Sequence, residues 1–194
     1  MSVRTPVGHV KNSPCVRVLV LLACVWAVNG DGVAGERYRL DASNTQVSFA
    51  VQHLGFQWVS ARFSDISGEF ILDRAGLDSR VDVTVGIASL ESSDTRWNDR
   101  LRSAEWLDAQ RFPHMTYHSR NIELQEQHAV ASGDLTLHGV TRPVVLMVSL
   151  LNCPTGGRCQ FVAHGRIKRS EFGLPHGFWS GGDQVDISIS GAVN

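Results

Sequence analysis

Gln46-Val47-Ser48-Phe49-Ala50-Val51-Gln52-His53 places Val47, Phe49, Val51 and His53 in one row and Gln46, Ser48, Ala50 and Gln52 in the other. Successive side chains of a β-strand point to opposite faces, so this stretch is a strand with one apolar face. The period recurs along the chain. Phe70 and Leu72 stand against Glu69, Ile71 and Asp73, and Val81, Val83, Val85 and Ile87 against Asp82, Thr84 and Gly86. Met115 and Tyr117 alternate with Thr116 and His118, and Leu135 and Leu137 with Asp134 and Thr136. Val144, Leu146, Val148 and Leu150 form another inner row, on a strand that Val145 and Met147 make apolar on both faces. Val185, Ile187 and Ile189 end the series against Asp186, Ser188 and Ser190.

Turn residues separate these runs: Asp73-Arg74-Ala75-Gly76, His138-Gly139 and Thr155-Gly156-Gly157. Many short alternating strands joined by short loops point to an antiparallel sandwich or barrel in up-and-down order. One stretch breaks the rhythm. Ser92 to Arg102 offers capping residues and then Trp97 and Leu101, four apart on one helical face. Ser103-Ala104-Glu105-Trp106-Leu107 reads as a second helical turn, and Pro113 ends the excursion. Such an insert covers a barrel mouth or a sheet edge.

The first 35 residues read as a secretory signal peptide. Arg4, Lys11 and Arg17 precede an uncharged run from Val18 to Val28, and small residues follow around Gly32-Val33-Ala34-Gly35, where cleavage is expected after Ala34 or Gly35. The run is shorter than the roughly 20 apolar residues of a membrane-spanning helix. Leu21-Leu22-Ala23-Cys24 offers a rival, lipid anchoring through Cys24, which the short preceding run and the apolar residues beyond it disfavour. Residues 36–194 then form one domain, expected in the periplasm and without a transmembrane segment. Of 18 basic and 19 acidic residues, the leader takes three and one, so the domain keeps 15 and 18, a formal charge of −3. That balance gives no basic face for nucleic acid. Cys153 and Cys159 flank a turn, across which a disulfide is expected in an oxidising compartment.

Catalytic motifs are missing from the sequence. The domain's seven histidines, His53, His114, His118, His128, His138, His164 and His176, include no His-x-His pair and no H-E-x-x-H run. His114 and His118 are four strand residues apart, about 13 Å, too far to share a metal. Neither a G-x-S-x-G elbow nor a glycine-rich nucleotide loop occurs. No cofactor, no metal and no enzymatic turnover are therefore expected. The large apolar rings, among them Phe49, Phe56, Phe63, Phe70, Phe161, Phe178 and Trp179, fill a core or line a cavity, and patterning alone favours the filled core.

Six ordered blocks carry a resemblance. They are Leu40-Asp41-x-Ser43-x(3)-Val47-Ser48-Phe49-x-Val51-x-His53-Leu54-Gly55, then Arg62-Phe63 through Ser67-Gly68-Glu69-Phe70 with Asp73, and then Leu101-Arg102-Ser103-Ala104-Glu105-Trp106-Leu107-Asp108 with Arg111-Phe112-Pro113. Gly133-Asp134-Leu135-Thr136-Leu137-His138-Gly139-Val140-Thr141-Arg142-Pro143-Val144, Ile167-Lys168-Arg169-Ser170-Glu171-Phe172-Gly173-Leu174 and Val185-Asp186-Ile187 complete them. Together they resemble the YceI-like family across residues 37–192. The resemblance implies an all-β fold: an eight-stranded antiparallel lipocalin-like barrel with a short helical insert near one end. It also implies a long-chain amphiphilic lipid, such as a polyisoprenoid, an isoprenoid quinone or a fatty acid or amide, held inside without turnover. This reverses the preference for a filled core.

Under that resemblance, Phe49, Val51, His53, Phe70, Val83, Val85, Tyr117, Leu135, Leu137, Leu146, Phe161 and Ile167 line the tunnel, and Trp106, Leu107 and Phe112 cover its mouth. The chain departs from the family in reading Trp97-Asn98-Asp99-Arg100-Leu101 where Arg-Asp-x-His-Leu is common. Trp97 then makes the mouth more apolar, and Arg100 or Arg102 is placed to meet a phosphate or carboxylate. The cysteine hairpin is not a family feature. Two alternatives stay open: an enzyme on a lipid or quinone with His53 as acid-base group, and a structural module with a filled core whose Val145 and Met147 mark a partner surface. A homodimer is compatible with either.

Overall fold

The computed structural model describes residues 36–53, 57–73, 79–125, 128–152, 158–177 and 182–194. Residues 1–35, read above as a signal peptide and including Cys24, lie outside the described residues, as do Phe56, Cys153, Phe178 and Trp179. In chain order the strands are β1 (Glu36–Arg39), β2 (Gln46–His53), β3 (Gln57–Phe63), β4 (Ile66–Leu72), β5 (Arg80–Gly86), β6 (Glu91–Ser92), β7 (His114–Gln125), β8 (His128–Leu137), β9 (Val140–Asn152), β10 (Cys159–Lys168) and β11 (Gln184–Val193). A five-residue helix α1 (Asn98–Arg102) lies between β6 and β7. All ladders are antiparallel, in the order β1-β4-β5-β7-β8-β9-β10-β11-β2-β3-β6.

Among the described residues the sheet has eleven strands, not the expected eight, because three runs of chain are each interrupted once. β1 and β2 lie end to end along β11: β2 pairs with it directly, and Leu40, just past β1, bridges to Val193. β4 and β3 lie along the other side of that pair, and β5 and β6 along theirs. Each break has a local cause. Between Leu40 and Gln46 six steps of chain oppose only three on β11, Val193 to Ser190. The surplus coils into a 3-10 turn, Ala42–Asn44, whose start Asp41 caps by accepting from the Ser43 N–H at 3.1 Å. At the second break, the Gly86 N–H donates to the Asp65 carbonyl at 2.8 Å, tying the β3–β4 corner to the end of β5. The third is a 3-10 turn, Ile87–Ser89, with Ile87 and Leu90 fully buried beneath it.

The insert is shorter than the sequence suggests. A 3-10 turn, Thr95–Trp97, capped by Asp94, leads into α1. Ser103 to Leu107 then forms hydrogen-bonded turns rather than a second helical turn. The Trp106 N–H reaches Ser103 O at 3.0 Å and the Leu107 N–H reaches back to Leu101 O at 3.1 Å. The Ser103 hydroxyl donates backwards to Arg100 O at 2.7 Å and so caps nothing that follows. This reversal brings Trp106 and Leu107 round against the hydrophobic cluster of Ile66, Val85, Ile87 and Leu101.

β7 carries a bulge between Ser119 and Asn121. Ser119 Oγ there accepts the Val81 N–H of β5 at 2.7 Å, so a side chain continues a ladder that the bulge interrupts. Gly133 faces Ser119 across the pair. A Cβ on Gly133 would sit 2.4 Å from the His118 carbonyl oxygen and 2.7 Å from Ser119 Cα, both backbone atoms that cannot swing aside. Gly133→Ala is expected to destabilise the fold by about 1–3 kcal/mol, the usual range for overpacking. An unchanged urea midpoint in that variant would contradict this packing.

Candidate functional site: an apolar cavity inside the barrel

The inner rows enclose a cavity of about 560 Å³ instead of meeting at the centre. Small-molecule sites span roughly 300–1,000 Å³, so the space is ligand-sized. Phe49 and Val51 of β2, Phe70 of β4, Val83 and Val85 of β5, Tyr117 of β7, Leu135 and Leu137 of β8, Leu146 of β9, and Phe161 and Ile167 of β10 all line it. Trp97, Leu101, Trp106 and Leu107 of the insert close one flank. Where the wall carries Ala129, Ala131 and Ala163, the side chains are too short to reach across. The rings pack along the wall. Phe49 and Phe63 lie 5.8 Å apart at a tilt of 38°, and Tyr38 and Phe70 6.1 Å apart.

Few polar groups reach this surface. The Tyr117 hydroxyl donates to the Ala131 carbonyl at 2.9 Å, with Val144 O at 3.3 Å as a second acceptor, so it ties the wall together. Burial pushes this phenol up to about 12 from 10.0, with Asp134 adding to the shift and Arg120 opposing it. Thr45, only 5% exposed, carries a buried hydroxyl with no hydrogen-bond partner among the described residues. Arg169 is 4% exposed and is the one charged side chain among the described lining residues. Its guanidinium donates to the Gly182 carbonyl and stands 5.5 Å over the Trp106 ring. Burial lowers its pKa, opposed by the Asp183 carboxylate.

A profile described as the YceI-like domain matches residues 38–193. The chain belongs to the YceI-like family. Protein YceI of Salmonella arizonae is 33% identical over 176 residues, covering 87% of this chain and 92% of the relative. UPF0312 protein plu2095 of Photorhabdus laumondii is 31% identical over 180 residues, covering 89% and 94%. Among solved structures, BcnA of Burkholderia cenocepacia superposes with a TM-score of 0.70 at 25% identity, covering 80% of this chain and 99% of that one. A polyisoprenoid binding domain from Saccharophagus degradans, implicated in plant cell wall breakdown, has a TM-score of 0.61 and covers 81% and 97%. Its 15% identity makes that a likeness of fold.

In this YceI-like chain the sequence expectations fall out unevenly. Phe112 is not at the mouth. It packs edge-on against His138 at 4.8 Å and under Gly139, outside the cavity, because the turn at Asp108 carries it past the insert. The side chain of His53 lies outside the described residues. No described histidine lines the cavity. Arg100 stacks 5.4 Å over Trp97, and Arg102 bonds Asp99 and the Ala88 carbonyl, so neither reaches the interior. A filled core is not what the barrel contains. Cys159 is disulfide-bonded, and its expected partner Cys153 lies outside the described residues. Among the described residues no group of three His, Cys, Asp or Glu side chains is placed to hold a metal. Sequence reasoning passed over Thr45 and Arg169, although each extends an inner row, Thr45 ahead of Val47 and Arg169 beyond Ile167.

Two consequences can be measured. Thr45→Val removes an unpartnered buried hydroxyl at nearly constant shape, so the lipid-free protein should gain about 1 kcal/mol; a lower melting temperature would show that the hydroxyl is satisfied. For Tyr117, the folded pKa lies above the unfolded value. Its stabilising effect is fully present below about pH 10 and is lost as pH rises towards 12. Alkaline unfolding should therefore begin in that window, and Tyr117→Phe should remove this part of the pH dependence. An identical alkaline profile in the variant would refute the assignment.

Proposed function

We propose that the protein is an exported carrier that holds a long apolar lipid of the polyisoprenoid type in its barrel and does not turn it over. The apolar cavity carries this reading. A surface of leucine, valine and phenylalanine suits a hydrocarbon chain, which gains roughly 0.8 kcal/mol for each methylene removed from water. From Phe161 to Ile167 the wall runs for roughly 20 Å at about 3.3 Å per residue, room for an extended chain. A protein of the same fold is described as polyisoprenoid-binding, and membership of the YceI-like family supports the same class of ligand. The 1–35 segment would direct the chain out of the cytoplasm into the periplasm. The disulfide at Cys159 fits an oxidising compartment, with Cys153 as the partner. No helix among the described residues is long and apolar enough to cross a membrane.

Solvent extraction of the purified protein followed by mass spectrometry should recover a long-chain lipid. Ala131→Phe, which places a ring in the cavity, should recover at least about tenfold less while folding normally, since the displaced chain loses several buried methylenes. No lipid from the native protein, and no uptake of added polyprenol or quinone, would end this proposal.

A further inference from the structure

The outer wall of the barrel carries a feature that a cargo inside it leaves unexplained. Of the five large apolar side chains exposed among the described residues, three, Val145, Met147 and Leu151, belong to β9. Val144, Leu146 and Val148 between them already line the cavity, so the outward set is not needed for the core. Val145 and Met147 are 51% and 55% exposed. Val130 of β8 stands opposite Met147, and Val162 of β10 opposite Ser149, so the apolar surface spreads over three neighbouring strands. A contiguous patch of this kind marks a contact surface. Its two flanks differ in charge. On β10 the outward row continues through His164 and Arg166 to the exposed Lys168, with Arg166 held by Asp186 at 2.7 Å. On β8 the outward row carries Asp134, which holds Arg120 through Oδ1 at 3.1 Å, and Glu123 of β7 lies beside Val130. Lys168 and Asp134 stand level. Asp134 pairs with Pro143, and continuing the register of β9 with β10 brings Lys168 beside that same residue.

We propose that this face joins two copies of the chain through a twofold axis running along β9. The cargo plays no part in the contact. A twofold that lays one sheet on another lies in the plane between them. Set along β9, it faces each outward residue of that strand with its own counterpart, Val145 with Val145 and Met147 with Met147. It also lays β10 of one copy over β8 of the other, so Lys168 comes over Asp134 in both directions. Set across β9, it would lay β10 on β10 and β8 on β8, and Lys168 would meet no carboxylate of β8. Charge therefore selects the first arrangement. A membrane suits the face less well. The outward rows of β8, β9 and β10 hold no Trp, Tyr or Phe to anchor in an interface, and Asp134 and Glu123 oppose anionic head groups.

Analytical ultracentrifugation of the purified protein should show a dimer at roughly 100 µM that dissociates on dilution, the behaviour of a micromolar interface. Met147→Asp should weaken association at least about tenfold at an unchanged melting temperature, because the side chain it replaces is exposed. Lys168→Glu and Asp134→Lys should each weaken it, and the two combined should restore it. If Met147→Asp does not fold, that charge exchange decides. Val145→Cys and Ser149→Cys should each cross-link to themselves with a short bis-maleimide, to which the disulfide-bonded Cys159 does not react. The two positions lie four strand residues apart, about 13 Å, so a twofold across β9 would satisfy only one of them. Cross-linking at one position alone overturns the axis. A protein that stays monomeric at that concentration overturns the proposal, and so does a dimer that Met147→Asp leaves intact. A monomer that floats with neutral phospholipid vesicles, and loses this with Met147→Asp, gives the face to a membrane and excludes the second copy.

Discussion

The bridge between Leu40 and Val193 joins the first run of chain to the last strand, and the interior exists because that seam closes. Arg39 and Asn194 exchange backbone hydrogen bonds on one side of it, at 2.9 and 3.0 Å, and the Asp41 N–H reaches Ala192 O at 2.9 Å on the other. Left open, the same strands would present two rows of unpaired backbone groups and turn their apolar faces to water. Closed, the interrupted runs of chain and the strands β7 to β11 each find a neighbour on both sides, β6 itself pairing with β3 alone, and the inner faces confront each other. The three interruptions lie in adjacent strands, where the chain must bend most sharply to complete the curve. Asp41, Gly86 and Ser89 supply the local hydrogen bonds that make those bends.

A closed sheet of this size either fills itself with side chains or keeps space for one ligand. Here the balance is set by what the inner rows alternate with. Phe49, Phe63, Phe70 and Phe161 are large enough to fill a small barrel, but Ala61, Ala129, Ala131 and Ala163 occupy inner positions too. The rings lean on one another and on the wall, and the alanines leave the middle unoccupied by protein. Tyr117 contributes by turning its hydroxyl into the wall between β8 and β9, so its ring lines the space without adding a polar group to it.

The period of two made most of the architecture readable. Apart from Ile87, which begins a 3-10 turn, every inner-row residue named from the sequence lies on an observed strand, and eleven of the residues expected on the tunnel wall do line it. The strand count was less readable, since a break such as Ala42–Asn44 depends on how many residues the partner strand offers, and the partner is more than a hundred residues away. Phe112 misled because an aromatic beside a helical insert looks like a lid; the turn at Asp108 lies between them. Hollowness was hidden for a different reason. Alternation tells which side chains face inward, whereas free volume depends on their summed size around the ring. The run Ala129, Ala131 and Gly133 along one inner row was the available hint. Thr45 and Arg169 were passed over because polar residues at the ends of apolar rows look like strand termini.

The seam also has a kinetic side. Leu40 and Val193 stand at opposite ends of the domain, so their contact is among the least local that the chain can form, and contacts of this kind form late. Until β11 is in place, β2 and β10 each lack a neighbour and the interior is an open trough with a wet floor. The compartment is therefore complete only once this least local contact has formed. A molecule inside it has either slipped through a finished wall or been wrapped as the last strand closed.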